Sequence, residues 1–449
     1  MRSIIGICFL ASLSILAGCS GQPVSAAETF DIVYLGNLDG ELEPCGCTEE
    51  GDLGGILRQT THIDTLRKQY PDLFLLHTGG LFNVATSTDR ITSRFILTGL
   101  LAQGYDAVGV QWRDLAYGQE FLARSGLPLV ASNWASSGFL KQIDIRHGGR
   151  RVSYFQWLDS EKSPYRKMKG EHFKVEEKTQ ALAEALANAH AEGRLTVLSS
   201  GMDRDTTLAR LPLENVDIVI LESAYEQYGE PEMVGSTLLL QPGSRGQRIA
   251  HLRIERDGRG RIQRYEHRVT PLPATVPDAS RLADWYAEFT EALRNDYRER
   301  VARRKSQARQ PSSYIGEAAC AECHQKAFES WKGSRHARAF STLERENKAF
   351  DANCLGCHTV AFNQDGGFVD PEITPDRLNV QCESCHGPGR VHAESEGKQP
   401  LPRKALAEDG PVCLQCHNRS HSPSFDFATY WPKIFHGLDT PPAAQTARQ

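Results

Sequence analysis

From residue 30 onward, short apolar, β-branched runs alternate with stretches of helical period. The runs at 30–35, 73–78, 106–110, 127–132, 195–200 and 217–221 predict strands. Between them, 55–70, 90–103 and 178–192 repeat their apolar positions at helical spacing. Hairpin-like runs over 236–269 add antiparallel strands. Such alternation argues an α/β domain over residues 28–270, large enough to hold its own core. PLPATVPD at 271–278 stops the pattern. In 279–305, Leu282, Trp285, Tyr286, Phe289, Leu293 and Tyr297 form an apolar stripe, predicting a helix that packs on one of the domains. QARQPSS at 307–313 is a second break, so 271–313 reads as a linker with a helix. The remainder, 314–449, is poor in long apolar runs and needs covalent or metal staples in place of a core.

The staples are written in that same segment. It holds CAECH (Cys320, Cys323, His324), CLGCH (Cys354, Cys357, His358), CESCH (Cys382, Cys385, His386) and CLQCH (Cys413, Cys416, His417). Each is a c-type haem attachment run: two cysteines three apart form thioethers to the haem vinyl groups, and the adjacent histidine reaches the iron. Two zinc ribbons would use eight thiolates but have no need of four histidines placed directly after the pairs. Four haem c groups are therefore expected. Iron has a second axial face, and outside these runs the segment contains His336, His392, His421 and His436.

The N-terminus carries Arg2, an apolar run from Ile4 to Leu16, and LAGC ending at Cys19. This resembles a bacterial lipoprotein signal over 1–19, with Cys19 lipidated; a plain signal peptide cut near Ala26 or Ala27 is the alternative. The run falls short of the ~20 residues that span a bilayer. An exported protein on the periplasmic side of a bacterial membrane, tethered by a lipid anchor, is the expectation, with the outer membrane or cell surface open. Of twelve cysteines, Cys8 leaves with the signal, Cys19 takes lipid and eight take haem, so Cys45 and Cys47 remain. The formal net charge of −5 is mild, and nothing in it points to nucleic acid.

The punctuation of 30–255 (GNLDG, LLHTGGLF, GYDAVGVQWRDLAYG, LPLVASN, TVLSSGMDRDTTLA, DIVILESAYE) resembles the metallophosphoesterase domain of the 5'-nucleotidase family. The resemblance implies an α/β sandwich with two metals held at the strand ends by Asp-x-His, Gly-Asp, Asn-His-Glu/Asp, a lone His and Gly-His-x-His. The corresponding positions here are Asn37-Leu38-Asp39, Gly79-Gly80, Trp112-Arg113-Asp114, Ser199 or Ser200, and Glu222-Ser223-Ala224-Tyr225. Two-metal hydrolysis needs several anionic or imidazole ligands. Asn37, Asp39 and Asp114 supply at best one weak ion site, so we expect a non-catalytic domain. His62 and His77 are left unassigned, since a lone histidine on a helix or at a strand end is more often a hydrogen-bonded structural residue than a ligand. EPCGC followed by GDLGGILRQ resembles a group of exported phosphatase-like proteins often fused to multihaem cytochromes. Cys45 and Cys47 there are open to three readings: a strained, easily reduced disulfide, a soft-metal pair, or inert structure.

YIGEAACAECH, WKGSRHARAF, VQCESCHGPG, CHGPGRVHAE and FDFATYWPKIFHG resemble the tetrahaem cytochrome c-554 family over 314–437. That resemblance implies a mainly α, haem-packed domain with bis-histidine ligation at three haems. His336, His392 and His436 become distal ligands, and the haem on His358 is left five-coordinate. His421 is a further candidate that would close the fourth site. The expected function is electron transfer to and from an unidentified redox partner protein, with the N-terminal domain as a docking or structural module. The alternatives are a redox enzyme acting on a small nitrogen or oxygen compound at one open haem, and a haem-linked metallophosphatase.

Overall fold

The computed structural model describes residues 28–44, 52–85, 88–134, 137–168, 170, 174–222, 228–306, 308, 311–402, 410–418, 422 and 424–436. Two six-stranded sheets stack face to face. The first has the order β12-β11-β1-β2-β3-β4, built from β1 (Glu28–Leu35), β2 (Phe74–His77), β3 (Ala107–Gly109), β4 (Leu129–Val130), β11 (Arg248–Arg256) and β12 (Ile262–Pro271). The second has the order β5-β6-β7-β8-β10-β9, from β5 (Ile143–His147), β6 (Arg150–Trp157), β7 (Leu195–Ser200), β8 (Ile218–Leu221), β9 (Tyr228–Val234) and β10 (Thr237–Pro242). β1 to β4 run parallel, as do β6, β7, β8 and β10; β11 and β12 are antiparallel additions to β1.

The alternation along β1 shows why the sheets stack. Phe30, Ile32 and Tyr34 face the second sheet and pack with Phe74, Tyr154, Val197 and Ile220. Val33 and Leu35 face outward, under helices Ile56–Gln69 and Asp89–Gln103. Helices Gln180–Ala191 and Arg204–Arg210 cover the outer face of the second sheet, with Leu182, Leu186 and Leu208 in one cluster with Phe155 and Leu198. A strand buried on both faces must be apolar at successive positions, which is what the runs at 30–35 and 218–221 supply. Hairpin β5–β6 was not anticipated from the sequence. Its charged ends, Arg146, His147, Arg150 and Arg151, flank a Gly148-Gly149 turn with both residues at positive φ, 53° and 79°.

The linking helix, Ala283–Arg304, joins the two parts of the chain. Phe289 and Leu293 are buried in the first sheet's outer core beside Phe95, and the Trp285 indole donates to Thr98 at 2.9 Å. Farther along, Tyr297 donates to Asp370 at 2.8 Å, Arg304 to the Phe368 carbonyl at 3.1 Å, and Arg294 lies 4.9 Å from the Phe350 ring centre. The C-terminal part is a set of short helices around one small cluster, Phe340, Leu343, Leu355 and Phe368. Among the described residues no helix is long and apolar enough to cross a membrane.

Candidate haem sites and the strand-end cluster

The cysteine pairs sit on short helical turns. At the first, the His324 amide donates to the Cys320 carbonyl at 2.9 Å; at the fourth, His417 donates to Cys413 at 2.7 Å. The second is the helix Ala352–His358, capped by the Asp351 carboxylate on the Asn353 amide at 2.9 Å. The third is Cys382–His386, capped reciprocally by Gln381 and Ser384. One helical turn puts residues three apart on the same face, as two thioethers to one porphyrin require.

Three of the four attachment histidines stand opposite another histidine. His324 faces His392 with ring centres 6.0 Å apart, His417 faces His336 at 6.1 Å, and His386 faces His436 at 5.9 Å. Two imidazoles on opposite sides of one metal, each with a bond of about 2.0 Å, hold their centres about 6 Å apart. The gap in each pair is thus the size of a bis-imidazole iron, and the residues fit the group. Ring orientation agrees: Nδ1 of His392 lies 2.7 Å from the Gln399 carbonyl and Nδ1 of His436 2.9 Å from that of Ile434, so Nε2 is left for metal. His358 Nδ1 lies 2.7 Å from the Ala339 carbonyl in the same way. Among the described residues, however, no ring faces it. His421, Cys19, Cys45 and Cys47 lie outside the described residues.

The sites lie close to one another. Cys357 Sγ lies 3.9 Å from the Gln415 carbonyl oxygen, which brings the second site beside the fourth, and the Glu317 amide donates to Gln381 Oε1 at 3.1 Å, which brings the first beside the third. Glu383, the second residue of the third run, is buried and accepts from the amides of Ile315, Gly316 and Gly389 at 3.1, 2.9 and 2.7 Å. It ties the chain before the first site to the third. No spacing rule singled it out, because the two positions between the cysteines of a CxxCH run are free to vary.

At the C-terminal ends of β1 to β3, the residues that the sequence resemblance sets against metal ligands are engaged in other bonds. Asn37 Oδ1 accepts from the Gln111 amide at 2.8 Å. Asp39 pairs with the Arg113 guanidinium. Asp114 is buried and accepts from the amides of Gly80, Leu81 and Gln111 at 3.0, 2.5 and 2.9 Å; burial still pushes its carboxyl up to about 6. A Cβ built on Gly80 would lie 2.5 Å from Asn37 Oδ1 and 2.7 Å from Gln111 Oε1, at φ +70°. A carboxylate at Gly80 would therefore have to displace the Asn37 and Gln111 side-chain amides. Trp112 turns away, its indole donating to the Asp159 carbonyl at 2.7 Å. Ser199 and Ser200 are buried strand residues, and Ser200 bonds Thr207 at 2.8 Å. Glu222 is pushed up to about 7 by burial, with Lys162 and Arg113 opposing; residues 223–225 of the same motif lie outside the described residues. His77 accepts from the Gly79 amide at 3.0 Å, and burial lowers it to about 3, the behaviour of a neutral structural histidine. No group of three or more metal-ligating side chains occurs among the described residues.

Comparison with known proteins follows the same division. Residues 319–387, which include the first three CxxCH runs, match the family model described as "Cytochrome c554 and c-prime". Cytochrome c-554 of Nitrosomonas europaea is 35% identical over 135 residues, covering 23% of this chain and 57% of that protein. Among solved structures, a 5'-nucleotidase precursor from Thermus thermophilus matches with a TM-score of 0.52 at 17% identity, covering 59% of each chain. The chain thus spans somewhat over half the length of each of these relatives, and the second likeness is one of fold. This protein joins a 5'-nucleotidase-like α/β sandwich to a C-terminal segment similar to cytochrome c-554, with the attachment runs of a multihaem c-type cytochrome.

Proposed function

We propose that this protein carries electrons through four covalently bound haems. The observation that carries the reading is the set of three histidine pairs at 5.9–6.1 Å. His324 with His392, His386 with His436 and His417 with His336 would each hold one iron on both faces. Such an iron has no position for substrate and serves electron transfer. The closeness of the first site to the third and of the second to the fourth supports short paths from haem to haem. Electrons pass to and from an unidentified redox partner protein, and the N-terminal sandwich is a docking or structural module without a two-metal centre. The Met1 to Ser20 pattern supports export to the periplasmic side of a bacterial membrane and a lipid anchor at Cys19.

A second reading has its own observation. His358 has no ring opposite it among the described residues, so the haem on Cys354 and Cys357 keeps an open axial position where a small nitrogen or oxygen compound can bind. One experiment tests both. Holo-protein matured in a host that attaches haem c is assayed by pyridine adduct for haem count, and by optical and EPR spectroscopy with and without carbon monoxide or nitric oxide. Four haems per chain, three of them low-spin and indifferent to the gases and one high-spin and responsive, is the expected result. Any other count refutes the attachment assignment. Four low-spin haems refute the open position.

A further inference from the structure

The N-terminal domain touches the cytochrome segment at a particular place. Glu43 follows Leu42, whose carbonyl accepts the Ile56 amide at 2.8 Å, so its backbone is held by the first helix of the sandwich. Its carboxylate accepts from Tyr286 of the linking helix and from the Lys348 ammonium. The Lys348 carbonyl in turn accepts the Asp351 amide at 3.0 Å, and Asp351 caps the helix that bears Cys354, Cys357 and His358. Beside it, Arg294 donates to Asn347 at 3.1 Å and lies over Phe350, whose ring is buried in the first sheet's outer core. Side chains of Lys348 and Glu43 are only 22% and 21% exposed. Charges so shielded from water act over longer distances than surface charges. The domain contact therefore lies one turn before the attachment helix whose histidine has no ring opposite it among the described residues.

We infer that Glu43 is a positioning residue for the haem at His358: it neutralises Lys348 at the entry to that helix and holds the reduction potential of this haem below the value Lys348 alone would impose. The inference rests on the open-position reading given above. Reduction adds one electron to the iron, Fe(III) to Fe(II), with no bond made or broken, so an uncompensated ammonium nearby favours the reduced form and an uncompensated carboxylate the oxidised form. The N-terminal sandwich would thereby set the driving force at the one iron able to bind a ligand, a role for a phosphatase-like fold that needs no hydrolysis.

The test is a dithionite titration of full-length holo-protein, following each haem by optical and EPR signals, in wild type, Glu43→Gln, Lys348→Gln and the double variant. The high-spin midpoint is expected to rise in Glu43→Gln, fall in Lys348→Gln, and return near wild type in the double variant, while the low-spin midpoints stay put. A loss of packing alone would move both single variants the same way and would not cancel in the double variant. That result, or an unmoved midpoint, overturns the inference. A wild type without any high-spin haem refutes the open-position reading separately. The charge inference then stands only if one of the four midpoints moves with opposite signs in the two single variants, and falls if none does.

Discussion

Introducing an aspartate at position 80 tests whether the strand-end cluster leaves room for a carboxylate there. Gly80→Asp meets two obstacles in the structure. The φ of +70° costs a residue with a Cβ about 1–2 kcal/mol. The new Cβ would also stand 2.5 Å from Asn37 Oδ1 and 2.7 Å from Gln111 Oε1, and forcing atoms into a packed interior costs about 1–3 kcal/mol. The sum is about 2–5 kcal/mol, before the carboxylate itself is buried. Gly118 separates the two terms: its φ is +86° with nothing within 4 Å of the added carbon, so Gly118→Ala carries the conformational cost alone. In a thermal melt of holo-protein followed by far-UV circular dichroism, the sandwich transition of Gly80→Asp should fall by roughly 4–20 °C, taking about 2–4 °C per kcal/mol. Gly118→Ala should lose only a few degrees. Neither variant should hydrolyse a generic phosphate ester with added Mn²⁺ or Zn²⁺. A Gly80→Asp protein as stable as wild type, or one with turnover abolished by chelation, would refute the reasoning.

Three further outcomes are expected. Glu222 has its carboxyl raised by burial from 4.5 to about 7, so between those values the folded state binds the extra proton and stability falls as pH rises, by about 3 kcal/mol in all. Glu222→Gln should flatten that slope in denaturant melts taken from pH 4.5 to 8, and an unchanged slope would exclude Glu222 as its source. His336→Ala removes the ring opposite His417, and should convert one low-spin haem to a high-spin, gas-responsive one while the pyridine count stays the same; an unaltered spectrum would mean that His336 is not a ligand. Phe289→Ala empties a site that is 2% exposed between the linking helix and the first sheet, and should cost about 3–5 kcal/mol in the unfolding of the sandwich.

The covalent chemistry was legible because it is local. Two cysteines and a histidine within five residues need only one helical turn to become a site. Likewise β1, β2, β7 and β8 were visible as runs, since strands buried on both faces must be apolar throughout. Hairpin β5–β6 was hidden because its apolar residues, Ile143, Ile145, Val152 and Tyr154, alternate with charges and with Ser153 and Gln156, whose bonds form only once strands are placed: Ser153 donates to Asp144 across the hairpin at 2.6 Å, and the Gln156 backbone amide donates to Ser132 Oγ at 3.0 Å. Pairing among histidines was equally out of reach. The sequence counts candidates, but which ring faces which depends on how separate turns pack, as His336 facing His417 shows. The residue types at the strand ends could be read from the sequence, whereas the Asn37–Gln111 amide pair and the Asp39–Arg113 ion pair required coordinates.

The position of β1 has a consequence for how the polypeptide is made. It is the first of the described strands to leave the ribosome, yet it lies inside its sheet, flanked by β2 on one side and by β11 on the other, with Glu28 opposite Arg256. Until residues 248–256 have been synthesised, one of its edges exposes unpaired amides and carbonyls, a template for association with other chains. A fragment ending before β11 would keep that edge permanently and should aggregate. Any attempt to produce the sandwich apart from the cytochrome segment must therefore extend through β12, and the haem-attachment runs, all later in the chain, emerge only after the sheet they adjoin has the strands it needs to close.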